Sequence, residues 1–198
     1  MNDVYYHFTG DTLRDGRPVP AIGEWLVHEG PIKLCASGLH ASRHPFDALT
    51  YAPGARLHRV ELRGIEGEEA DKVVARERRI IASIDAADLL RAFARQCALD
   101  VVELWDAPDV VRTYLLTGDE TIRAAARAAA RAAEAAQDAW AARATAWAAQ
   151  DAWDAWDAWA AQAAWAAAQA AAWAAQAAKQ KQFDTFATLI DAAFTRVE

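Results

Sequence analysis

A run of alanines carrying tryptophans constrains this chain more than any other part of it. Residues 123–182 read RAAARAAARAAEAAQDAWAARATAWAAQDAWDAWDAWAAQAAWAAAQAAAWAAQAAKQKQ, and neither glycine nor proline occurs after Gly118. Alanine is the strongest helix former and both breakers are missing, so the run predicts helix. As one rod, about 60 residues rising 1.5 Å each would reach roughly 90 Å. Seven indoles are set into it: Trp140, Trp147, Trp153, Trp156, Trp159, Trp165 and Trp173. A lone rod would leave that aromatic surface in water, so the run is expected to pack on something.

Its faces do not form one stripe. At 100° per residue, Arg123, Arg127, Arg131, Glu134 and Asp138 share one side, with Trp140 and Trp147 nearly opposite. Beyond Gln150 the polar side has rotated to Asp151, Asp154, Asp157, Gln162, Gln169 and Gln176, and Trp153, Trp156 and Trp159 cover the other side. After KQKQ, a third pattern of Phe183, Phe186, Leu189, Ile190, Phe194 and Val197 is an ordinary amphipathic helix. Either one helix meets different neighbours along its length, or it folds back as a hairpin near Thr145–Asp151 and near Lys179–Gln182; the rotation favours folding back. Alanine-faced helices approach closely, so the run points to helix–helix association within or between chains. The polar face is acidic, whereas an interfacial membrane helix would carry lysine and arginine there.

The residues before Gly118 read differently. VYYHFT (residues 4–9) has the aromatic and β-branched content of a strand, and EWLVH (24–28) and IKLC (32–35) read as two more. After Ser37-Gly38 comes LHAS, then PFDALTYA as one or two helical turns ending at Pro53-Gly54. RLHRVELR (56–63) alternates as a half-buried strand with Leu57, Val60 or Leu62 inward, IEGEEAD reads as a loop, and residues 72–84 return to strand. From Asp85 the period becomes helical, through Leu89, Leu90, Phe93, Cys97, Val101 and Leu104, and Pro108 opens a further helix that stops at Gly118. The expected fold class is α+β: a small strand-rich head (1–84), helices completing it (85–118), and a long Ala/Trp-rich helical region (119–198) ending in an amphipathic helix.

Net charge bounds the partners. A formal charge of −7 and a pI near 5.2 argue against a broad basic face for nucleic acid. Cys35 and Cys97 are too few for a disulfide framework. No basic stretch followed by an apolar one opens the chain, and Gln162, Gln169 and Gln176 interrupt its most apolar run, so a soluble, cytoplasmic protein without a membrane span is expected.

Chemistry can reside only in the head. Cys35, His40 and His44 have the spacing C-x4-H-x3-H, which could supply three zinc ligands. Lone cysteines and histidines in strand-rich domains are more often packing or surface residues, so no metal is expected. Two resemblances add to this. The run IKLCASGLHASRHPFDALTYAPGARLHRVEL, followed by DKVVARERRI, resembles an uncharacterised domain of phage and bacterial proteins. That group shares a C-x-x-G-[LF]-H-A pattern, here Cys35–Ala41, and often a repetitive tail; it implies a discrete head and no established activity. YHFT, GLHAS, Tyr51 and Glu77 also resemble the motif order of the ADP-ribosyltransferase superfamily. That resemblance implies that His7 contacts the nicotinamide ribose of NAD, Tyr51 stacks and Glu77 is catalytic.

The expectation is therefore a structural or protein-interaction module, phage-associated by resemblance. Its helical tail would associate with itself or another protein, and no cofactor is expected. The rival is an NAD- or nucleotide-binding head of ADP-ribosyltransferase type.

Overall fold

A computed structural model describes residues 3–104, 106–136 and 176–197. The segment holding Trp140, Trp147, Trp153, Trp156, Trp159, Trp165 and Trp173 lies outside the described residues, as does the fold-back expected near Thr145–Asp151. The described elements are α+β, as expected: an antiparallel five-stranded sheet followed by helices. The strands are β1 (Tyr5–Thr9), β2 (Trp25–Val27), β3 (Leu39–Ala41), β4 (Arg56–Glu68) and β5 (Val73–Asp85). The helices are α1 (Pro45–Leu49), α2 (Ala87–Leu99), α3 (Asp109–Thr117), α4 (Arg123–Ala136) and α5 (Gln176–Thr195).

The β4–β5 hairpin is the spine of the head. β4 runs into the acidic stretch expected to be a loop and ends at Glu68, because β5 supplies a partner as far as Glu68↔Val73. The turn closes where the Glu69 N–H donates to the Lys72 carbonyl at 2.8 Å. Outside the hairpin, β1 lies along β4, while β3 and β2 lie in line along the free edge of β5, opposite residues 73–75 and 77–79. Tyr6 and Ser42 exchange both backbone hydrogen bonds, at 2.8 and 2.9 Å, so the end of β3 is stitched to β1. The sheet thus curls round on the β3 side. Among the described residues β2 pairs with β5 alone.

Ile32–Cys35, expected to be a strand, is a tight turn. The Lys33 N–H donates to the Ser37 carbonyl at 3.0 Å, and the Ala36 and Ser37 N–H groups donate back to the Lys33 carbonyl. These local bonds satisfy the backbone groups that a sheet ladder would otherwise need. Cys35 takes the left-handed conformation (φ 64°), which is uncommon for a side-chain-bearing residue.

Tyr5, Val60 and Ile80, brought together by register, form a core cluster with Ala41 and Val73. A second layer comes from the far end of the chain. Residues from Phe186 onward belong to the same compact unit as residues 1–86. α5 buries Gln182, Phe186, Ile190 and Phe194, every fourth residue. It runs unbroken through Lys179–Gln182, so the fold-back expected there does not occur; nothing in KQKQ breaks a helix, and its last residue, Gln182, already belongs to the buried row. The Phe46 and Phe186 rings meet edge to face, 5.7 Å between centroids.

The second compact unit spans Ala87–Thr185. α2 buries Leu90, Phe93, Ala94, Cys97 and Ala98, the face that its period foretells. α3 ends at Gly118, whose left-handed φ of 67° lets its N–H reach the Tyr114 carbonyl at 2.7 Å. α4 buries Ala126 and Ala130, one turn apart, and packs on α3 through a face without bulk. Asp119 caps a turn ahead of α4, its Oδ1 accepting from the Thr121 N–H at 2.8 Å. Among the described residues no helix is long and apolar enough to cross a membrane.

Candidate functional site

The gap left where β2 stays apart from β1 is a cleft of about 610 Å³, a size usual for small-ligand sites. β1 contributes His7, β2 contributes Leu26, β3 contributes His40, and β5 contributes Arg78. The loop at residues 13–17 and the turn at 35–38 form further walls, with Tyr51 and Lys72 also lining it.

Arg78 is the most unusual group. Register sets it opposite Leu26 and Leu62, between two apolar neighbours, and it is 7% exposed. Its Nη1 donates to the His40 carbonyl at 2.6 Å, and no carboxylate meets it among the described residues. Burial brings its pKa down to about 10, so it remains charged at neutral pH.

Three imidazoles surround this charge. His7 faces His58 across β1 and β4. Burial holds His7 well below its usual value, with the Arg78 charge acting the same way. His40 is lowered, chiefly by burial; its Nε2 accepts the Cys35 N–H at 3.1 Å. His58 lies beneath the lining, its Nε2 2.9 Å from Thr9 Oγ1, and burial takes it down to about 4. All three rings are therefore neutral near pH 7.

The rim is charged and internally paired. Tyr51, 37% exposed, donates its hydroxyl to Asp71, and Lys72 Nζ sits 5.2 Å from its ring centroid. Lys72 is held above its usual range, first by Glu69 at 2.9 Å, then by the Cys35 thiol and Tyr51. Arg14 Nη2 donates to the Tyr51 carbonyl at 3.0 Å, whereas Arg17 is paired with Asp15 at 2.7 Å. The charged lining is Arg14, Arg17, Lys72 and Arg78 against Asp15, four basic side chains to one acidic. An acidic protein thus carries a basic cleft.

Of the residues singled out in the sequence, His7, Tyr51, Cys35 and His40 converge on this cleft. Glu77 does not line it. Successive strand residues point to opposite faces, so with Arg78 turned inward Glu77 is turned out. It stands opposite Val27 and Arg63, its carboxylate 4.0 Å from the Arg63 guanidinium. That outer face also holds Trp25, with Arg63 and Arg79 over its ring at 4.1 and 4.8 Å. His44 is committed elsewhere: its Nδ1 accepts from the Phe46 N–H at 3.2 Å and caps α1. The trio Cys35, His40 and His44 therefore does not assemble as ligands, and among the described residues no three of His, Cys, Asp and Glu are grouped to hold a metal ion.

Arg78, Arg14 and Lys72 do not stand out in the sequence. In VARERRII three arginines resemble a solvated strand face; the signal available was strand alternation, which must send one of Glu77 and Arg78 inward.

The fold and site together define a small antiparallel α+β head with a basic, histidine-lined cleft. Residues 4–92 match a family described as a domain of unknown function (DUF7666), a span that takes in β1–β5 and the start of α2. No curated protein and no solved structure matches the chain.

Proposed function

We propose that the head binds a small anionic ligand of the nucleotide class in the cleft between β1 and β2. The observation that carries this reading is the convergence of His7, His40 and Tyr51, distant in sequence, on one cleft whose charged lining is four-to-one basic. Neutral imidazoles offer both a hydrogen-bond donor and an acceptor, and Tyr51 offers a partly exposed ring at the mouth. The resemblance of YHFT, GLHAS and Tyr51 to the ADP-ribosyltransferase motif order makes NAD the first ligand to try. Because Glu77 stands on the other face of the sheet, the reading is one of binding, not of ADP-ribosyl transfer.

Titration calorimetry of the intact protein with NAD, ADP-ribose and ATP tests it, with His7→Ala as the weakened variant. Micromolar binding that His7→Ala reduces supports the reading; no heat with any of the three removes it. Nicotinamide release from NAD would overturn the restriction to binding.

The Ala/Trp-rich region adds a role in association. Its seven indoles on an alanine background carry apolar surface that a second copy or another protein could cover. Light scattering of the intact chain across concentrations tests self-association, which a constant monomer mass would exclude.

A further inference from the structure

We propose that Arg78 is the anchor for a phosphoryl group of the ligand, and that the head is held below its full stability until such an anion occupies the cleft. This deepens the ligand-binding reading and rests on it for the location of the site. It adds the chemistry of the recognised group and a coupling between occupancy and stability.

A buried guanidinium is costly to hold without a counter-charge, and removing one by an apolar residue of similar size is often stabilising. Arg78 has one carbonyl, that of His40, and no carboxylate among the described residues. Among the described residues, none beside it supplies negative charge: Leu26 and Leu62 flank it in register, and the nearby His7, His40 and His58 are uncharged imidazoles. Asp15, the acidic group of the lining, is taken by Arg17 through two hydrogen bonds and an ion pair.

Arg14, exposed at the rim, likewise donates to a carbonyl, that of Tyr51, and meets no carboxylate among the described residues. Arg14 and Arg78 both press on His7 and on His40, so the two guanidinium charges bear on the same part of the cleft. Arg78 donates through Nη1 alone among its described contacts, which leaves its other N–H groups for a planar, two-point contact with an oxyanion. Two such cations without carboxylates suit a phosphate or pyrophosphate better than a carboxylate, whose single charge would satisfy only one.

The test is the thermal midpoint of the full chain in inorganic pyrophosphate and in phosphate, against chloride at matched ionic strength. Pyrophosphate is expected to raise the midpoint by several degrees over chloride, and phosphate by less. Arg78→Met is expected to melt higher than the parent in chloride and to lose the pyrophosphate response. Arg14→Met is expected to weaken that response, and Arg17→Met, whose cation is already paired, to keep it. No rise over chloride in the parent overturns the proposal, as does a retained response in Arg78→Met. A lower chloride midpoint for Arg78→Met would make Arg78 a structural tie to β3 and overturn it too.

If Arg78→Met does not fold, Arg78→Lys decides, since it keeps the charge and loses the fork. The pyrophosphate concentration that gives half of the thermal rise is expected to increase about tenfold or more, and an unchanged concentration overturns the proposal. Pyrophosphate protection without nucleotide binding removes the nucleotide reading and leaves this one. Nucleotide binding that is indifferent to Arg78→Lys does the reverse.

Discussion

The Arg59 guanidinium lies over the Phe194 ring, 4.4 Å from its centroid, and so ties β4 to the last helix. The same side chain donates to Asp191 Oδ1 at 3.0 Å, one turn earlier on α5. With Phe186 against Phe46, these contacts make residues from Phe186 onward part of the head. Phe194→Ala is therefore expected to destabilise the head by about 3–5 kcal/mol, the usual range for emptying a fully buried aromatic site. Urea unfolding followed by circular dichroism would show it; a loss under 1 kcal/mol would mean that the helix end is dispensable. By the same argument, truncation after Gly118 would damage the head and cannot isolate the tail.

Acid should weaken the head through His58. Its folded pKa, about 4, lies below the ordinary 6.5, so between these values the unfolded chain binds the proton and the folded one does not. The stabilising contribution is complete above about pH 6.5 and is lost as pH falls toward 4. The span corresponds to roughly 3 kcal/mol, and His7, lowered in the same direction, adds to it. Urea midpoints of the parent and of His58→Gln, taken from pH 7.5 to 4.5, measure the difference. Parallel curves would remove His58 from the account.

The two thiols should separate by reactivity. Cys35 is exposed at the cleft, whereas Cys97 is buried in α2 and its thiol is pushed up to about 12, chiefly by burial. A thiol-reactive disulfide reagent at pH 8 is expected to titrate one group within minutes in the native protein and two in denaturant. Cys35→Ser should abolish the fast phase. Two fast groups in the native protein would contradict the burial of Cys97.

Gly38→Ala should loosen the cleft wall. Its φ of 108° is a conformation that side-chain-bearing residues rarely adopt, and an added Cβ would stand 2.6 Å from a Val74 methyl. A loss of about 1–3 kcal/mol is expected from the backbone strain, together with weaker ligand binding, because Gly38 adjoins His40. Thermal melts and calorimetry on the variant would check both; an unchanged melt would show that the turn adapts freely.

Strand alternation was legible in RLHRVELR, and the period in Leu90, Phe93 and Cys97 announced α2. The extension of β4 to Glu68 was not, because an acidic stretch enters a sheet only when a partner strand is available, and that partner is β5. The cleft was half legible. His7, Tyr51, Cys35 and His40 stood out by residue type, but nothing local distinguished Arg78 from Arg76 and Arg79. Arg76 is paired with Glu66 and Arg79 with Glu61, both on β4, and only pairing across the hairpin decides which arginine is left without a carboxylate.

What the sequence determined by itself is the set of elements: period and breakers are local properties, readable wherever side-chain spacing and backbone preference agree. Tertiary structure decided three things. It turned Glu77 out and Arg78 in, since register fixes which parity of a strand faces the cleft. It left β2 apart from β1, which opens the site. It also brought Phe186, Ile190 and Phe194 to the head, because burial of an apolar face depends on a partner that lies more than a hundred residues away in the chain.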